Sequence, residues 1–96
     1  MDKHELAVQR AEEASRIINS AIFTAAFDDT RQALLNGIAS LDSMKSDRAQ
    51  ELHSMVKGLD SVKRCLEVHI DTGKLARMEI EHRSKIAQLN PFKRRA

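Results

Sequence analysis

Apolar residues recur at alternating spacings of three and four along almost the whole chain. Three runs carry the pattern: Ala7, Ala11, Ala14, Ile18, Ala21 and Ala25; then Phe23, Phe27, Thr30, Leu34, Gly37 and Leu41; then Leu52, Val56, Leu59, Val62, Leu66 and Ile70. This is the period of an α-helix, in which positions three and four apart share a face. Pro91 is the only proline and there are three glycines, so little forces the chain out of helix. The pattern predicts an all-α fold.

Local signals divide the helix. Asp2 stands as an N-cap with Glu5 three residues on, the spacing of a capping box, and opens a first helix over 2–18. Asn19-Ser20 ends it. Ser20 then caps a second helix reaching about residue 43, with Ile22, Phe23, Ala26, Phe27, Leu34, Ile38 and Leu41 turned inward. The clearest interruption is 41–47, where Ser46 or Asp47 caps a third helix, with Met55 beside Val56 on its apolar side. Two long helices joined by a few residues lie antiparallel, so the expected architecture is a helical hairpin with an additional N-terminal helix. Gly73 either stands just past a helix C-terminus or weakens a continuing helix; helix is expected on both sides of it, and Leu75, Met78, Ile80, Ile86 and Leu89 still recur beyond it, less regularly. Asn90-Pro91 closes the pattern. The expected organisation is one helical domain over 1–90 and a basic, flexible tail over 91–96.

Size turns this architecture towards association. Ninety-six residues make at most one domain, and Phe23, Phe27 and Phe92 are the only aromatics, so one copy has few large side chains for a core. Alanine-rich seams suit helices packed closely along their length, as in a coiled coil or an oligomeric bundle. Ala7, Ala11, Ala14, Ile18, Phe23, Phe27, Leu52, Val56, Leu59, Val62, Leu66 and Ile70 are the candidate core and oligomer-interface positions.

Net charge is only +2 but is unevenly placed. Over 1–72, 9 Lys or Arg stand against 12 Asp or Glu, a balance of −3; over 73–96, 7 stand against 2, a balance of +5. Lys74, Arg77, Arg83 and Lys85, with Lys93, Arg94 and Arg95 beyond them, are candidate phosphate contacts. With only Phe92 available for stacking on bases, such a strip would track a backbone and not read sequence.

Other chemistry is poorly supported. Thr72-Gly73-Lys74 imitates the end of a phosphate-binding loop, but Val68 stands where that loop has glycine and Leu75 where it has Ser or Thr. Cys65 and His69 share a helical face and supply only half a metal site, so a buried Cys and a surface His are expected instead. The acidic groups Glu12-Glu13, Asp28-Asp29 and Glu79-x-Glu81 lack a nucleophile or base converging on them and read as solvated helix faces. No enzyme, cofactor, metal or small-molecule substrate is expected. A sole cysteine offers no intramolecular disulfide, residues 1–7 carry no secretory signal, and no run approaches a membrane span; the expected location is the cytoplasm.

Phe23 with Ala26-Phe27-Asp28, Ser46-Asp47-Arg48 followed by Glu51-Leu52, Leu59-Asp60-x-Val62 with Leu66, and Gly73-Lys74-Leu75-Ala76 resemble small all-helical proteins of tailed bacteriophages and prophages. The resemblance covers about 20–76. That group often has a large aromatic near the middle of the second helix, where this chain has Leu34, Leu35 and Ile38, and no functional residue is carried over. The resemblance implies a viral setting, host cytoplasm or virion, and a part in virion assembly or genome packaging. The function expected is therefore that of a non-enzymatic oligomer binding its own copies and another protein. A nucleic-acid-associated packaging or regulatory factor is the alternative.

Overall fold

Three α-helices account for the described structure: α1 (Lys3–Ile18), α2 (Ala21–Ala39) and α3 (Asp47–Leu89). The structure, a computed structural model, describes residues 1–43 and 46–89. No strand occurs among the described residues, so the chain is all-α as the periodicity predicts. The expected tail at 91–96 lies outside the described residues.

Each helix starts where a side chain replaces a missing backbone acceptor. Asp2 Oδ1 accepts the Glu5 N–H at 2.9 Å, Ser20 Oγ accepts the Phe23 N–H at 3.3 Å, and Ser46 Oγ accepts the Ala49 N–H at 3.1 Å. Of the two caps considered for α3, Ser46 takes the role. The expected end of α2 near residue 43 is corrected to Ala39. Ser40 caps that end: its N–H donates to the Asn36 carbonyl at 3.1 Å and its hydroxyl to the Gly37 carbonyl at 2.8 Å, while the Leu41 N–H donates to the Ile38 carbonyl at 3.1 Å. A serine bonding locally in this way competes with continuation of the helix.

The residues cluster into two units, Met1–Ser15 with Glu67–Ala96, and Arg16–Leu66. In the first, α1 runs antiparallel to the C-terminal part of α3: Asp2 pairs with Arg83, Glu12 with Arg77, and Ala11 meets Gly73. Ala11, Ala14 and Ala76 are buried, and Ala7 and Ile80 half-buried.

Gly73 sets the closeness of that pair. No kink or break occurs there; α3 runs through it and Gly73 has no positive φ. Its missing side chain is instead a packing device. A methyl placed on Gly73 would lie 2.1 Å from Ala11 Cβ and 3.2 Å from the Ala7 carbonyl oxygen, so the space is filled by α1 itself.

In the second unit, α2 runs antiparallel to the first part of α3. Ile38, Leu52 and Val56 form a buried cluster against which Leu34, Leu35 and Leu41 pack, each fully buried aliphatic contributing about 1.5–3 kcal/mol. Phe27 is buried, stacked on Phe23 with centroids 5.9 Å apart, and the Lys63 ammonium lies 5.0 Å from its ring centroid. Arg31 donates to both Asp60 oxygens, from Nε at 3.0 Å and Nη2 at 3.3 Å. That fork fixes the register of α2 on α3.

Several inward-facing expectations are overturned. Ile22, Ala21, Ala25 and Ala26 are exposed, because the first seam ends with α1 at Ile18 and α2 presents Phe23, Phe27 and Ile38 instead. Met55 is exposed although Val56 is buried, since adjacent helical residues point about 100° apart. Val62 is 57% exposed, while Leu59, Leu66 and Ile70 are half-buried. Cys65, expected to be buried, is exposed. It falls on the side of α3 that carries Val62 and not on the side of Leu52 and Val56.

The glycines give a paired prediction. Gly73→Ala should destabilise the fold by about 1–3 kcal/mol, because two helix backbones must separate to admit the methyl. Gly58→Ala, where nothing lies within 4 Å of the new methyl, should stabilise it by about 0.5–1 kcal/mol through helix propensity. Denaturant unfolding of the two variants beside the parent checks both signs.

Candidate interaction surface

In the first unit α3 is apolar on two opposite sides. Gly73, Ala76 and Ile80, spaced three and four apart, lie on the side that meets α1. Val68, Leu75, Met78, Ile86 and Leu89 lie on the other, each with between 43 and 82% of its surface exposed. Val68, Leu75, His82 and Leu89 stand seven apart with Met78 three beyond Leu75, the spacing of a heptad seam that Ile86 flanks. A groove of about 900 Å³ borders this stripe, lined by Ala7, Leu75, Ala76 and Met78 together with the polar residues Lys3, His4, Thr72, Glu79 and His82.

The seam positions named from sequence fare unequally. Ala11, Ala14, Phe27, Leu52 and Val56 are buried, and Ala7, Ile18, Phe23, Leu59, Leu66 and Ile70 half-buried. Those faces are used mainly within the chain. Leu75, Met78, Ile86 and Leu89 recur less regularly in the sequence because their stripe is displaced around the helix from the Leu52 to Ile70 run. The signal that finds it is the heptad repeat of 68, 75, 82 and 89 with 78 between.

The basic strip is partly spoken for. The Arg77 guanidinium donates to Glu12 at 2.9 Å, and Arg83 lies 3.7 Å from Asp2. Both side chains are half-exposed, so these pairs set helix register more than stability. Lys74 and Lys85, about three turns apart on one side of α3, are exposed beside the apolar stripe. Lys93, Arg94 and Arg95 lie outside the described residues.

Cys65 and His69 stand on the surface, and among the described residues no three His, Cys, Asp or Glu side chains group as a metal site. No helix is long and apolar enough to cross a membrane among the described residues. No family model, curated protein or solved structure matches the chain.

Asp2 joins the cap to the charge pattern. The Glu5 N–H holds its carboxyl below the ordinary value of 3.8; partial desolvation opposes this, and the His4 N–H and the Arg83 and His4 charges add to it. The fold thus binds fewer protons at Asp2 than the unfolded chain does. Its contribution is present above the ordinary carboxylate value and lost as pH falls through the lowered one. Asp2→Asn keeps a capping oxygen but removes the titration, and should flatten the loss of stability between about pH 5 and 2. Unfolding midpoints of parent and variant across that range check it; parallel curves contradict the assignment.

Proposed function

We propose that this chain is a non-enzymatic helical association module that works by binding protein chains, copies of itself among them. The observation that carries this reading is the exposed stripe of Val68, Leu75, Met78, Ile86 and Leu89 opposite the α1 contact. Among the described residues eleven large apolar side chains are exposed, against eight buried hydrophobic residues of which four are alanines. An apolar side at helical spacing, bordered by a groove, suits a partner helix better than a small polar substrate. A setting in viral particle assembly rests on the resemblance to phage proteins alone.

Light scattering over a dilution series tests the reading. The parent should be oligomeric at micromolar concentration, and Leu75→Asp with Met78→Asp should shift it towards the monomer. Each lost contact and buried carboxylate should weaken association at least about tenfold. Helical circular dichroism should be retained, since both side chains are exposed in one copy. A parent that stays monomeric at about 100 μM, a concentration at which even weak association is populated, contradicts it.

A further inference from the structure

We propose that the stripe on α3 pairs antiparallel with the same stripe of a second copy, Leu75 packing on Met78 of that copy. This rests on the self-association reading above and adds partner, orientation and register. The charges along the stripe decide the orientation.

In heptad terms Val68, Leu75, His82 and Leu89 occupy one core position, and Asp71, Met78 and Lys85 the other. A symmetric parallel pair in register places each residue against itself. Asp71 would then face Asp71 and Lys85 would face Lys85, like charges forced together at core positions. Reversing one helix about a two-fold axis between Leu75 and Met78 removes both conflicts. Asp71 then meets His82 of the second copy, and Lys85 lays its aliphatic stem along Val68 with the ammonium reaching water.

The flanking positions agree with that reversal. Lys74 comes opposite Glu81 of the second copy, and the two-fold repeats the pair. Lys74, Asp71, Glu81, His82 and Lys85 are all exposed in one copy, and none takes part in the ion pairs that hold α1 on α3. They are available for a partner without disturbing the fold. The groove beside Leu75 and Met78 gives the incoming side chains room.

Disulfide trapping tests orientation and register together. In a Cys65→Ser background, Val68→Cys and Lys85→Cys are combined in one chain. The two positions are seventeen residues apart on one helix, about 26 Å, so a 68–85 disulfide must join two copies. Mild oxidation should give a 68–85 linked dimer, identified by peptide mapping. Links of 68 to 68 and 85 to 85 alone would overturn the antiparallel arrangement while leaving self-association standing. A dimer by light scattering that forms none of these links would overturn the stripe as the interface. A parent that is monomeric at about 100 μM would overturn this proposal and the functional reading together. Independently, Lys74→Glu should weaken the dimer about tenfold, and adding Glu81→Lys should restore it. An unchanged dissociation constant in Lys74→Glu would overturn the register.

Discussion

The close approach of α1 to α3 at Gly73 is the constraint on which the first unit depends. With Ala11 Cβ occupying the space a side chain at Gly73 would need, the two backbones sit nearer than larger residues permit. Such contact favours dispersion over area, because small residues bring many atoms into range while removing little apolar surface from water. Ala11, Ala14 and Ala76 extend the same regime. A pair held this way is specific in register and modest in the surface it buries. The large side chains of this stretch of α3 are therefore elsewhere, on the opposite side.

The second unit solves the packing problem differently. There Ile38, Leu52 and Val56 make a conventional aliphatic cluster, and Phe27 stacks on Phe23 with the Lys63 ammonium over its ring. The Arg31 and Asp60 fork supplies the register that alanine contacts and ion pairs supply in the first unit. Asp60 bonding, with the Asp28 charge behind it, raises the Arg31 guanidinium further above an already high value. The guanidinium thus stays charged, and salt screens its pairing with Asp60.

Helix starts were legible in the sequence, because a cap is a local event: Asp2, Ser20 and Ser46 each sit three residues before the N–H they accept. The all-α class was legible for the same reason, from the spacing of three and four. The end of α2 was less so: the apolar spacing carries on to Leu41, while the local bonding of Ser40 stops the helix at Ala39. At Gly73 the sequence leaves open whether the helix ends or continues, because glycine's intrinsic cost is local while its use here is tertiary. Cys65 is exposed where burial is expected, because apolar character says that a residue prefers burial, not that a neighbour exists to bury it. The same gap leaves the recurrence of Leu75, Met78, Ile86 and Leu89 without an assigned face in the sequence.

That gap bears directly on function. A helical stretch with one neighbour needs one apolar side, and in the first unit, where α3 packs on α1, it carries two. In the first unit the side facing α1 is built from Gly73, Ala76 and Ile80, so removing the large apolar residues opposite would leave that contact untouched. Folding of the pair thus gives no reason for Leu75 and Met78 to be apolar, nor for their heptad spacing with Val68, His82 and Leu89. Solubility argues against them, since an exposed apolar stripe favours non-specific association. Among the charges set along it, Lys74 would meet Glu81 of a reversed copy, and the reversal keeps Asp71 from facing Asp71 and Lys85 from facing Lys85. A merely solubilising surface requires no such order, whereas a surface that must choose one partner orientation over another does.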